Sequence, residues 1–285
     1  MTNVSAGTRD TRVTDSLEAL REFVDRHRRL WVLTGAGCST ESGIPDYRDN
    51  NGNWKRKQPL TLQNFLGSEA ARRRYWARSL LGWPMFAQAL PNPAHHALVR
   101  LQQEGRVALL VTQNVDRLHQ RAGSREVIDL HGRLDRVVCL NCSSGEERDT
   151  WQYRLNHCNP GWAARWRSDA SMAPDGDADL TGAPFEQFEV PACQACGGMV
   201  KPDVVFFGES VPRQRIETAM RSLQDADAVL AIGTSLMVFS GFRFVRAASQ
   251  LRLPIVAISL GKTRADDLLE FRLQTSCSTA LSALV

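Results

Sequence analysis

Leu30-Trp31-Val32-Leu33, running into Thr34-Gly35-Ala36-Gly37-Cys38-Ser39, decides the fold. Four consecutive apolar residues closed by a turn signal read as a strand buried on both faces, the kind that parallel sheets use. The glycines then turn the chain toward a helix. Such a turn lets backbone approach a pyrophosphate, whose charge meets the N–H groups of the helix N-terminus. The stretch is not a full G-x-G-x-x-G, so by itself it reads equally well as a plain strand-to-helix turn.

Working outward, the same rhythm recurs. Ser16 to Arg28 places Leu17, Leu20, Phe23 and Val24 at helical spacing. Short apolar runs follow at Val107–Val111, Val127–Leu130, Val204–Phe207, Ala228–Ile232 and Ile255–Ile258, with helical patterns at Ala94–Glu104 and Arg213–Gln224 between them. Strands alternating with helices predict an α/β fold with a doubly wound, parallel, Rossmann-like sheet. Residues 47–84 and 134–202 break the rhythm. They are assigned to a smaller helical and cysteine-bearing domain inserted into a discontinuous larger one made of 15–46, 85–133 and 203–285.

Composition narrows the function. The net charge is only +4, and the positive side is nearly all arginine, with lysine only at Lys55, Lys57, Lys201 and Lys262. Runs such as Arg72-Arg73-Arg74 lack interleaved aromatics and read as solvated helix faces, so no nucleic-acid role is expected. No apolar run is long enough to span a membrane, and Met1 to Asp15 has no apolar leader segment. The cytoplasm is the expected address, with the mitochondrial matrix as the alternative.

Of seven cysteines, four fall into two pairs, Cys139-x-x-Cys142 and Cys193-x-x-Cys196. Two such turns supply the four thiolates of a closed, structural Zn²⁺ site. Gly197-Gly198 gives the second turn a permissive backbone. The long spacer between the pairs fits an inserted helix from Trp151 to Arg167. His157 with Cys158 has the wrong spacing for a zinc knuckle.

The glycine turn continues as Gly43-Ile44-Pro45-Asp46-Tyr47-Arg48. Further on come Thr112-Gln113-Asn114-Val115-Asp116-x-Leu118-His119, Leu130-His131-Gly132, both cysteine pairs, Lys201-Pro202-Asp203-Val204-Val205-Phe206-Phe207-Gly208-Glu209 and Gly233-Thr234-Ser235-Leu236. In this order, over residues 30 to 280, the blocks resemble the sirtuin family of NAD-dependent protein-lysine deacylases. Asp46-Tyr47-Arg48 and Val238-Phe239-Ser240-Gly241-Phe242-Arg243-Phe244 resemble its class II branch.

The resemblance implies a deacylase that releases nicotinamide and O-acyl-ADP-ribose, with acylated lysine on proteins or peptides as the partner. A protein ADP-ribosyltransferase or an NAD hydrolase using the same cleft is the alternative. It implies that NAD is held by Gly35, Ala36, Gly37, Ser39, Asp46, Tyr47, Arg48, Gln113, Asn114, Val115, Asp116, Gly233, Thr234, Ser235, Ser259, Leu260, Gly261 and Cys277. His131 is the implied catalytic base, with Asn114 beside it. His95, His96, His119 and His157 have no such context. The implied peptide contacts are Val204, Val205, Phe206, Gly208, Glu209 and Val238.

Two departures stand out. Ser259-Leu260-Gly261 replaces the usual Asn-x-Gly. On the arginine-rich helix, Tyr75 and Arg78 have the spacing of a succinyl-preferring relative, whereas alignment from Gly82 puts Arg74 and Ala77 there instead. The apolar Val204-Val205-Phe206 predicts a preference for longer apolar acyl groups over succinyl.

Overall fold

The computed structural model describes residues 12–56, 59–167, 171–174, 176–180 and 182–285. Lys57, most of the polar N-terminal stretch and parts of the segment around 173–184 lie outside them. The first half holds β1 (Arg12–Thr14), α1 (Leu17–Arg26), β2 (Leu30–Thr34), α2 (Leu62–Gly67), α3 (Glu69–Ala87), α4 (Pro93–Gln103), β3 (Val107–Thr112), α5 (Leu118–Ala122) and β4 (Val127–Asp129). Next come β5 (Gly132–Cys139), β6 (Gly145–Glu147), α6 (Arg148–Cys158), α7 (Trp162–Trp166), the hairpin β7 (Ser171–Met172) and β8 (Ala178–Asp179), and β9 (Val200–Val204). The chain ends with α8 (Arg213–Gln224), β10 (Ala228–Ile232), α9 (Phe239–Gln250), β11 (Ile255–Ile258), β12 (Phe271–Leu273) and α10 (Cys277–Ser282).

Seven strands form one sheet in the order β1-β12-β11-β10-β2-β3-β4, every pair parallel. Alternation along each strand feeds two cores. Leu30, Val32, Leu230 and Ile232 pack against α1, α4 and α10, while Trp31, Leu33, Val229 and Ala231 pack against α8 and α9. Helices therefore cover both faces, as the doubly wound prediction requires. Local chemistry fixes where helices begin. Ser16 caps α1 by accepting from Ala19 N, and Asn92 starts α4 with its own N–H donated to His95 Nδ1 and a proline at the next position.

A second, three-stranded sheet runs β6-β5-β9, antiparallel throughout. It packs with α2, α3 and α6 around Phe65, Trp76, Trp151 and Phe188, a cluster drawn mostly from the two stretches that broke the rhythm. α3 runs unbroken to Ala87, past residue 84. Among the described residues no helix is long and apolar enough to cross a membrane.

Four expectations change. The run Val204–Phe207 is not a strand of the parallel sheet: the strand is Val200–Val204, paired with β5, and Phe206 leaves it to join Phe65 and Tyr75. The single helix over 151–167 is two, α6 and α7, broken where Gly161 takes a left-handed φ of +79°. The glycine turn leads into two short 3₁₀ turns, Ala36–Cys38 and Thr40–Ser42, rather than an α-helix. The strands β1 and β12, at one side of the sheet, were not expected, because three residues carry too little periodicity to read.

Candidate functional site

β2 lies between β3 and β10, and chain order runs away from it in both directions, so a crevice opens at the carboxyl ends of β2 and β10. The turns leaving these two strands interlock there. Gly35 N donates to Ile232 O and Gly37 N to Gly233 O. Gly233 has φ +60°, and a Cβ on it would lie 2.4 Å from Cys38 N, so only glycine allows this approach. A cleft of about 1070 Å³ extends from this point. That volume is large for a single small molecule and accommodates a dinucleotide together with a side chain.

Every residue to which the sequence assigned a cofactor or substrate contact lines this cleft, from Gly35 to Cys277, and so does His131. Its floor is a closed polar set. Asn114 Nδ2 donates to Gly35 O and Ser39 Oγ, each at 3.0 Å. Ser39 Oγ in turn donates to Asp116 at 2.7 Å. The other Asp116 oxygen accepts from Leu118 N, the first residue of α5, so the carboxylate braces the entry to that helix and lines the cleft at once. Burial raises its pKa above the ordinary value, opposed by the bonds from Leu118 and Ser39. Gln113 Nε2 reaches Thr234 Oγ1 at 2.9 Å and Thr34 O, tying β3 to the turn after β10.

His131 sits between the two sheets, after β4 and before β5. Val205 N donates to His131 O, so β9 fixes the backbone of this residue. Its Nδ1 lies 2.9 Å from Gln113 O and its Nε2 2.7 Å from Ser240 Oγ. Burial pushes its pKa down to about 4, helped by Arg215 and Arg243, so the ring is neutral and holds a lone pair near pH 7.

On the opposite wall, Glu209 accepts from Phe206 N at 2.9 Å and pairs with Lys201 at 3.3 Å, which shapes the Val204–Gly208 loop. Arg48 stacks on Trp54 at 3.8 Å and donates to Gly52 O, and Tyr47 meets Trp54 and Phe207 edge-on. Ser259 Oγ donates to Gly261 O at 3.0 Å. Of the two candidate cations for an acidic acyl group, Arg78 pairs with Asp177 at 3.4 Å and bonds Ala178 O, while Arg74 lies over Phe185. Tyr75 lines the cleft against Phe206, and Leu60, Phe86, Leu134 and Pro174 add further apolar lining.

The four paired cysteines converge at the far end of β5 and β9. Cys139 and Cys196 sulfurs are 3.5 Å apart, and Cys142 and Cys193 sulfurs 3.8 Å. Tetrahedral Zn²⁺ with bonds of about 2.3 Å separates its thiolates by roughly 3.8 Å. A Cβ on Gly198 would lie 3.0 Å from Cys139 Sγ and 2.7 Å from Asn141 Cβ, so this glycine leaves room for the cradle. The residues fit a structural zinc ion. β5 and β9 run from this knot directly to His131 and Val205.

The Sir2 family model matches residues 35–240. A relative from Bradyrhizobium diazoefficiens, NAD-dependent protein deacetylase 2, is 60% identical over 268 residues, covering 94% of this chain and 97% of its own. The chain belongs to the Sir2 family. It is also 43% identical to the Bos taurus mitochondrial NAD-dependent protein lipoamidase sirtuin-4, over 94% of this chain and 85% of that one. Among solved structures, a complex described as Sir2–p53 peptide–NAD⁺ superposes with a TM-score of 0.73 at 27% identity, over 94% of this chain and 96% of that one.

In this sirtuin the sequence reading missed two groups in the cleft beside His131. Ser240 and Arg243 lie inside the quoted block Val238–Phe244, but nothing in their spacing marks which way a helix start will face. A second convergence, Cys38 with His95 and His119, is fully buried under the glycine turn. His95 Nδ1 accepts from Asn92 N, so its Nε2 carries the hydrogen and has no lone pair for a metal. His95 Nε2 and His119 Nδ1 have no hydrogen-bond partner among the described residues, and His119 Nε2 meets Thr34 Oγ1 at 2.9 Å. The group ties α5 to β2 through His119 and closes the cap of α4 through His95.

Proposed function

We propose that this sirtuin is an NAD-dependent protein-lysine deacylase, with His131 as the base that accepts a proton at Nε2. One observation carries the reading. A neutral histidine and a glycine-turn crevice open into a single cleft with an apolar wall from β9. NAD supplies an electrophilic ribose carbon whose leaving group is nicotinamide. Gly35, Ala36, Ser39, Arg48, Thr234 and Ser235 hold its diphosphate in this reading. Asp116 offers an acceptor for the carboxamide, Gln113 and Asn114 flank the ribose, and Ser259 to Gly261 with Cys277 serve the adenosine end. Cys139, Cys142, Cys193 and Cys196 hold a structural Zn²⁺ with no catalytic part, since four thiolates leave no open position. Residues 47–84 with 134–202 act as the smaller domain, supported by their shared aromatic cluster. A four-thiolate site favours a reducing compartment, consistent with the cytoplasm.

Val204, Val205 and Phe206 line the lysine path, with Gly208, Glu209 and Val238 beside the peptide. The apolar lining at Tyr75, Phe86 and Leu134, with Arg78 already on Asp177, favours longer apolar acyl groups over succinyl. The test is mass spectrometry of products from NAD and a panel of acyl-lysine peptides. O-acyl-ADP-ribose is the expected product. Protein-bound ADP-ribose would make the chain a transferase instead, and free ADP-ribose without peptide would make it an NAD hydrolase.

A further inference from the structure

A backbone carbonyl only accepts, so the 2.9 Å contact from His131 Nδ1 to Gln113 O places the ring hydrogen on Nδ1. Nε2 then keeps the lone pair, and the group facing it is Ser240 Oγ at 2.7 Å, which must donate. Ser240 is half-buried in the first turn of α9 and lines the same cleft, with its own lone pairs available there. Its position is imposed by packing. Gly241 and Phe242 N–H groups both bond Val238 O, and a Cβ on Gly241 would meet Gln113 Oε1 at 2.4 Å. Gln113 and the start of α9 thus close on the imidazole from its two nitrogen sides.

We propose that Ser240 is a further catalytic residue beside the base: it orients Nε2 of His131 and relays to it the proton of a hydroxyl docked in the cleft. The O–H bond of the docked hydroxyl breaks as a new one forms on Oγ, and the proton that Oγ gives up bonds to Nε2. The docked oxygen keeps its electron pair for attack, His131 becomes imidazolium, and Ser240 is unchanged. Arg215 of α8 and Arg243 of α9 are the charged groups that face the ring, and they favour its return to the neutral form. The inference rests on the deacylase reading for its chemistry, and on the ligand-free geometry alone for its hydrogen bond.

The experiment therefore has two arms, on the native protein, Ser240→Ala and Ser240→Thr. In the first, ¹⁵N NMR of the histidine-labelled, ligand-free protein reads Nε2 of His131. The resonance should be that of an acceptor with a donor present, shift toward the free-imine position in Ser240→Ala, and return in Ser240→Thr. In the second, kcat for an acyl-lysine peptide should fall roughly tenfold to a hundredfold in Ser240→Ala, with both KM values nearly unchanged, and recover in Ser240→Thr. An unmoved Nε2 resonance, a kcat close to native in Ser240→Ala, or a raised KM at unchanged kcat overturns the proposal. Should the alanine variant not fold, Ser240→Cys repeats both arms with a weak donor in the same space. If the native protein forms no O-acyl-ADP-ribose, the deacylase reading fails, while the NMR arm still decides the hydrogen bond.

Discussion

Lowering the pH from 7 to 5 should destabilise this protein through histidines that are buried as neutral rings. Burial pushes the pKa of His95 and of His131 down to about 4, and that of His119 well below its ordinary value. In the unfolded chain each titrates near 6.5. Between those values the unfolded state binds the extra proton, so stability is full above about pH 6.5 and is lost as pH falls toward 4. For a shift of this size, the step from pH 7 to 5 costs about 2 kcal/mol per histidine. Two such groups remove a large part of an ordinary stability of about 5–15 kcal/mol. Asp116 and Asp129 act with the opposite sign. Burial raises both carboxyl pKa values, so the folded state takes up protons there and gains stability as pH falls through the raised values. Any effect of pH on the zinc site is the same in the native protein and in a histidine variant. The decisive comparison is therefore urea unfolding at pH 7 and 5 of the zinc-loaded native protein and of His95→Gln. Whatever the substitution costs at pH 7, the loss between the two pH values should shrink by about 2 kcal/mol. An identical loss in both proteins would refute the assignment of a buried neutral His95.

Other outcomes follow from the same geometry. On the proposed role, in which the ring moves a proton rather than anchoring the ligand, His131→Ala should lower deacylation by roughly 10²- to 10⁴-fold while calorimetry finds NAD binding largely kept. Cys193→Ser should lose zinc and unfold the small domain, read as metal content and thermal unfolding. A soluble, zinc-free and fully active variant would contradict the link from the knot through β5 to His131. Decanoyl- and lipoyl-lysine should react faster than succinyl-lysine on one peptide, and a succinyl advantage abolished by Arg78→Ala would overturn the apolar lining. Gly241→Ala should weaken turnover sharply, since its Cβ would press on Gln113 Oε1 at 2.4 Å; kinetics with a folded-state check decides this.

The sequence by itself determined the parallel sheet and which residues line the cleft at its rim. Runs such as Leu30–Leu33 and Ala228–Ile232 are continuous and apolar because helices cover both of their faces, and that pattern survives in one dimension. The cysteine pairs, the glycine turn and Leu130-His131-Gly132 were legible because their chemistry needs fixed residue types at fixed spacing. Tertiary structure alone decided the rest. Val204–Phe207 looks like a core strand, yet the aromatic cluster around Phe65 pulls Phe206 away and leaves Val204 pairing with Gly132. Tyr75, not Arg78, reaches the cleft, because Arg78 is claimed by Asp177 from a hairpin about 100 residues further along the chain. The hydrogen on His131 could not be read either. Its place is set by a carbonyl of β3's exit and a hydroxyl of α9, groups that only long-range packing brings to the same ring.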